Sequence, residues 1–232
     1  MISVIVPVYN EAMHVQHTIE MLRKNDVEDL VVEIIISDGG SSDNTIEFAA
    51  SAGATVIQSP RKGRAAQMNH GAAMATGRIL YFLHADTIPP AGFSSDIVRL
   101  VRAGTDAGCF MLSFDLEHWF LKAHSWFTRF DINAIRFGDQ SLFVTKTIFT
   151  EAGGFNERLI VMEDQDIVKR IRKFSRFVVI KKPVLTSARK YVDNGVYKTQ
   201  FVFYLIFLMH RLGYSQQKLV KMYRKLLRQD KV

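Results

Sequence analysis

A chain of 232 residues, 48% of them apolar, is long enough for one large α/β domain or a domain with an appendage. A lone cysteine, Cys109, excludes an internal disulfide framework and a cysteine-based zinc cluster, and fits a reducing compartment. The net charge of +7 conceals an asymmetry: residues 168–232 hold 17 Lys/Arg against 2 Asp/Glu, so the remainder is acidic.

The first strand is expected at residues 2–6, a β-branched run closed by Pro7. The chain enters it directly from Met1, with no basic n-region or cleavage site of a secretory signal. Residues 12–25 carry Val15, Ile19 and Leu22 at helical spacing. A second strand follows at 31–36, and Ser41, Ser42, Asp43 and Asn44 offer N-caps for a helix through Ala52. A short strand at 55–58, a small-residue helix at 64–75 and an apolar strand at 79–83 complete an alternation that predicts a parallel sheet covered on both faces.

Beyond that point the pattern loosens. Helices are expected at 92–102, 146–152 and 164–173, and strands at 108–116, 140–144 and 176–180. Trp119, Phe120, Ala123, Trp126, Phe127 and Phe130 form an aromatic stripe at helical spacing, suited to packing, to a sugar or to a lipid acceptor. Residues 197–228 read as two helices broken near Gly213. Their longest apolar run, 201–209, is well short of the roughly 20 residues that span a bilayer.

Several short motifs carry chemistry. His84-Ala85-Asp86 leaves the fourth strand at its carboxyl edge, where open α/β sheets bind ligands and a carboxylate can hold a divalent cation beside a diphosphate. Val6-Pro7-Val8-Tyr9-Asn10-Glu11 turns from the first strand into a helix at the same edge. Asp38, after the second strand, can accept from a ribose hydroxyl or a base N–H, or simply shape the helix entry that Asp43 caps. Arg61-Lys62-Gly63-Arg64 feeds a helix N-terminus, an arrangement suited to phosphate or to a solvated loop. No G-x-G-x-x-G follows the first strand, which argues against a dinucleotide fold. Gly138-Asp139-Gln140 suits either an acceptor-side turn or a plain one.

In combination these segments resemble the inverting GT-A glycosyltransferases of family 2, a small non-processive bacterial subgroup among them. Ile5 to Glu11, Ser37 to Thr45, Gly63 to Gly71, His84 to Asp86, Gly153-Gly154-Phe155 and Met162-Glu163-Asp164-Gln165-Asp166 carry the resemblance, over about residues 1–190. It implies a Rossmann-like, mostly parallel sheet flanked by helices, as a domain over 1–190, with a basic helical extension over 191–232. It also implies transfer of a sugar from a nucleotide-sugar, by preference a UDP-sugar, to a hydroxyl of a lipid, glycan or small metabolite. Pro7, Tyr9, Glu11, Asp38, Arg64, His84, Asp86 and Arg189 stand at the donor-binding positions. Asp86 is the implied ligand of Mg²⁺ or Mn²⁺. His84 stands where most relatives carry a first Asp, which leaves it as metal ligand or ribose contact. Of the catalytic pair Glu163 and Asp164, the family pattern puts the general base on Asp164, and both acids adjoin a helix N-terminus that favours their ionised form.

Two other readings compete. Nucleotidyl transfer would expect a glycine-rich basic loop directly after the first strand, where this chain has Tyr9-Asn10-Glu11. A non-catalytic nucleotide-sugar or membrane-docking module would need neither Asp86 nor the acid pair. The basic tail lacks a groove-reading helix or stacking motif, so nucleic acid is not expected as a partner. The expected location is the cytoplasm, with peripheral contact at an anionic inner membrane face; a homodimer stays open.

Overall fold

The computed structural model of the chain describes residues 1–132 and 140–228. β1 (Ile2–Val8) is buried along its whole length, as a β-branched run does when covered on both faces. Its alternation sorts the core. Val4, Val6 and Val8 face one layer with Ile34, Ile36 and Tyr81, while Ile5, Ile35, Leu80 and Phe82 face the other. Helices α1 (Val15–Asn25), α2 (Thr45–Ser51) and α4 (Phe93–Arg102) cover the first layer. The second is covered by α3 (Arg64–Met74), α6 (Lys146–Glu151) and α7 (Glu163–Ile171). Gly71 lets α3 lie directly on β1: a Cβ there would meet Ile5 Cγ2 at 2.5 Å.

Among the described residues eight strands form one sheet, ordered β3-β2-β1-β4-β7-β6-β8-β5. β2 (Val31–Asp38), β3 (Thr55–Gln58) and β4 (Ile79–Phe82) run parallel to β1 and its neighbours. β7 (Leu142–Thr145) runs antiparallel to both β4 and β6 (Ala107–Phe114), and β6 pairs in parallel with β8 (Phe177–Thr186). At Gly108 the backbones close up, since a Cβ would lie 2.3 Å from Val178 O. The mixed α/β architecture is the expected one.

Three features depart from the sequence expectations. The last strand does not stop at residue 180; it continues to Thr186 across a bulge, because Phe110 pairs with Ile180 and Met111 next pairs with Pro183. The bulge falls beside Pro183, a residue with no N–H to give to the ladder. The two-residue strand β5 (Thr87–Ile88) pairs antiparallel with that extension, and α8 (Arg189–Asn194) begins just after it. Neither is long enough to leave a periodic pattern.

α5 (Trp119–Phe127), α9 (Val196–Arg211) and α10 (Gln216–Leu226) complete the structure. α9 and α10 form a core of their own with Val161, through Val202, Ile206, Leu219, Tyr223 and Leu227. Gln216 Oε1 accepts from the backbone N–H of Ile160 and Val161 (3.0 and 3.1 Å). Asn194 closes the far end. Its Oδ1 accepts from Arg228 N (2.7 Å) and its Nδ2 donates to Arg228 O (3.3 Å), joining the end of α8 to the end of α10.

Candidate active site

The carboxyl edges of β1, β2 and β4 meet in a scaffold of cross-loop hydrogen bonds. Asn10 takes a left-handed conformation (φ 52°) that Asn tolerates, and its Oδ1 accepts from Ser42 N (2.9 Å). Asn10 N donates to Ser41 Oγ (2.9 Å), and Glu11 N to Thr45 Oγ1 (2.8 Å). Asp43 accepts from Thr45 and from Ala12 N. Slight desolvation opposes its charge, yet those bonds from Thr45 and Ala12 outweigh it and hold the carboxyl below its ordinary range. Asp38 is fully buried and accepts from Gly40 N (2.8 Å) and from the N–H and hydroxyl of Ser41. Its place is beneath the loop, off the cavity wall. Gln67 closes the floor, donating to Val8 O (2.7 Å) and Ser37 O (2.8 Å).

Above this scaffold opens a cavity of about 480 Å³. Pro7, Tyr9, Glu11, Arg64, His84, Asp86 and Arg189, gathered from across nearly 190 residues of chain, all line it. The backbone of the 84–86 segment is pinned from three sides. Thr18 of α1 donates to Ala85 O (2.5 Å), Ser187 N donates to Asp86 O (3.1 Å), and Thr87 N donates to His84 O (3.2 Å). The extension of β8 thereby delivers Arg189 to the acids. Its guanidinium meets Glu11 Oε1 and Asp86 Oδ2, each at 3.1 Å, and also approaches Glu11 Oε2 at 3.3 Å.

A second cation on the wall, Arg64 at the start of α3, reaches Glu163 at the start of α7, with Nε 3.1 Å from Oε1. Glu163 is 1% exposed, and neither carboxylate oxygen gains a hydrogen bond among the described residues. A buried carboxylate held by one ion pair is an expensive arrangement to keep. Asp164 follows it in the same first turn, where the helix dipole favours negative charge. Neither acid is among the residues lining the cavity, and Glu163 stands behind Arg64. Asp166 is engaged elsewhere, paired with Arg170 (2.7 Å), which also donates to Gly154 O (2.5 Å) in the glycine turn. Met162, just before the pair, is held at φ 70°, a conformation that strains a bulky side chain.

Sequence reasoning missed Ile160 and Arg224 and left Lys62 as part of a basic loop; all three line the cavity together with Lys190, the neighbour of Arg189. Arg224 arrives from α10, whose only sequence signal is basic helical periodicity. The basic loop divides: Lys62 and Arg64 face the cavity, whereas Arg61 pairs with Glu157. The aromatic stripe of α5 lies apart from the lining residues. Gly138 and Asp139 fall outside the described residues.

Among the described residues no three His, Cys, Asp or Glu side chains cluster as a metal cage. The donor set is one carboxylate, Asp86, with His84 two residues away on the same wall. That set fits Mg²⁺ or Mn²⁺ of the kind held by one carboxylate and completed by phosphate oxygens and water.

One mixed sheet flanked by helices, with acids and cations gathered at its strand edge, matches the GT-A fold of solved glycosyltransferase structures. The model of the family described as Glycosyl transferase family 2 matches residues 3–158, and the chain belongs to that family. It is 27% identical to a Mycobacterium bovis PGL/p-HBAD biosynthesis glycosyltransferase over 84% of this chain and 78% of that one. It is 32% identical to the glycosyltransferase AglE of Haloferax volcanii over 38% of this chain, and that match spans 31% of AglE. Among solved structures it resembles S. aureus TarS 1-349 in complex with UDP (TM-score 0.68, 15% identity, 97% of this chain, 70% of that one). The mannosyltransferase PcManGT of Pyrobaculum calidifontis, in complex with GDP-Man and Mn²⁺, gives a TM-score of 0.71 at 16% identity, over 97% of this chain and 69% of that one.

Proposed function

We propose that this protein is an inverting glycosyltransferase that moves a sugar from a nucleotide-sugar, by preference a UDP-sugar, to a hydroxyl acceptor. The observation that carries the proposal is the convergence of Glu11, Asp86, Arg64 and Arg189 on one cavity at the strand edge. UDP in the TarS structure supports the choice of nucleotide. Pro7, Tyr9, Glu11 and His84 bind base and ribose, with Asp38 holding the loop beneath them. A divalent ion bound at Asp86 would supply positive charge to the departing diphosphate. The protein's own cations do the same from the wall: Lys62, Arg64 and Arg189 face the space where that charge develops.

Asp164 takes the proton of the acceptor hydroxyl as its oxygen attacks the anomeric carbon. The bond from that carbon to the diphosphate oxygen breaks, and the nucleoside diphosphate leaves with the electron pair. Glu163 is a positioning residue that fixes Arg64. The acceptor is a lipid, glycan or metabolite hydroxyl. No helix of the described residues is long and apolar enough to cross a membrane.

A thermal-shift panel of UDP-, GDP- and other nucleotide-sugars, with and without Mn²⁺, tests the donor assignment. A donor that binds the folded protein raises the unfolding midpoint in proportion to the logarithm of its concentration over its dissociation constant. No shift with any nucleotide-sugar at saturating metal refutes the reading.

A further inference from the structure

α9 is apolar on both of its sides, and among the described residues most of its outward side stays exposed. Thr199, Val202 and Ile206 turn inward, whereas Tyr197, Phe201, Tyr204, Leu208 and, just past its end, Leu212 recur outward every three or four residues. Phe201 is 65% exposed and Leu212 67%. Scattered exposed apolar residues are ordinary; a stripe four turns long is not. A helix apolar all round is normally covered by its own protein or by lipid.

The stripe continues onto α5. Trp119 is 69% exposed, and its ring centroid lies 6.5 Å from that of Tyr197. From Trp119, α5 carries further exposed aromatics at Trp126 and Phe127, and Phe130 follows just past its end. Tyrosine and tryptophan with an apolar body and a polar tip suit the boundary between hydrocarbon and water.

The surrounding charge is basic. Lys198 and Arg211 belong to α9, Lys218 lies over the Tyr214 ring, and Arg129 lies over Trp126 with its guanidinium 4.5 Å from the ring centroid. Of the nearby acids, Glu117 is paired with Lys122 and Asp131 with Arg172, while Asp193 of α8 is exposed. Aromatic anchors rimmed by cations match an anionic bilayer in both of its layers, acyl chains and headgroups. We propose that the outward faces of α5 and α9 are the surface by which this protein docks onto an anionic lipid membrane. α8, which bears Arg189 and Lys190 on the cavity wall, leads directly into α9. Docking therefore holds the cavity close to the headgroup layer.

Flotation of the full chain with vesicles tests this. At low salt the protein is expected to rise with phosphatidylcholine vesicles containing phosphatidylglycerol, and to rise much less with phosphatidylcholine alone or at high salt. Phe201→Ser combined with Trp119→Ser should reduce the bound fraction at least about tenfold, and Lys198→Glu by a smaller factor. Both changes lie at exposed positions, so an unchanged unfolding midpoint verifies the fold. No flotation of the unmodified chain on anionic vesicles at low salt overturns the proposal, as does undiminished flotation of the double variant. Sedimentation of the unmodified chain as a dimer that Phe201→Ser converts to monomer overturns it as well, since a second copy would then cover the face.

Discussion

The two cation–carboxylate clusters beside the cavity use the same chemistry at different depths. Arg189 joins Glu11 and Asp86 with all three side chains in some contact with water, at 32%, 11% and 16% exposure. Arg64 joins Glu163, whose carboxylate is closed off from it. Water shares the work of stabilising charge in the first cluster, while in the second a single guanidinium supplies it. The two guanidiniums are alike in exposure, 38% for Arg64 and 32% for Arg189, so it is the carboxylates that differ in depth.

The largest expected effect sharpens that contrast on the chemistry side. Asp164→Asn should lower kcat by about 10²–10⁴-fold, the usual span for loss of a general base, while UDP binding by calorimetry stays intact. Unchanged turnover would remove Asp164 from the mechanism. Next comes the buried pair. Arg64→Ala strands the Glu163 charge and should cost about 2–3 kcal/mol, a fall of roughly 5–10 °C in the unfolding midpoint. Asp86→Ala is expected to weaken UDP binding by about 10–100-fold in Mn²⁺. In EDTA the same variant should match the unmodified protein, and a deficit persisting there would disprove a metal role. Arg189→Ala should cost only about 1 kcal/mol of stability, because solvent takes over much of its task. If Arg64→Ala and Arg189→Ala prove equally costly, burial is not what distinguishes the clusters.

A smaller effect lies away from the cavity. Desolvation opposes the charge of Glu33, but bonds from Ser3, Thr76 and Gly77 outweigh it and hold its carboxyl below the ordinary value. A depressed carboxyl stabilises the fold above its unfolded value of 4.5, and that stability is lost as pH falls through the folded value. Glu33→Gln should therefore lower the midpoint at pH 7 by the equivalent of about 1 kcal/mol. The difference should vanish in acid below the carboxylate range, and melts across pH check it.

The parallel half of the sheet was legible because each residue of β1, β2 and β4 has one of two faces to fill, and Val, Ile and Leu declare both. The motifs at the ends of those strands were legible for the same reason, since a strand end fixes where the next residues go. What escaped was whatever long-range pairing decides. The bulge that carries β8 past Pro183 depends on its pairing with β6, and the strand so extended leads to Arg189 beside Asp86. Arg224 reaches the cavity from a helix whose placement rests on Gln216 and the 160–161 backbone. Of the two roles the sequence left open for Asp38, ligand contact or helix entry, the choice depends on three-dimensional neighbours, and its carboxylate is spent on Gly40 and Ser41.

The amide of Asn194 has a mechanical consequence. From the end of α8 it holds Arg228, two residues past α10, and so ties the helix of Arg189 and Lys190 to the chain that leaves the helix of Arg224. Any swing that withdraws one of these side chains with its helix must carry the others along or unfasten that grip.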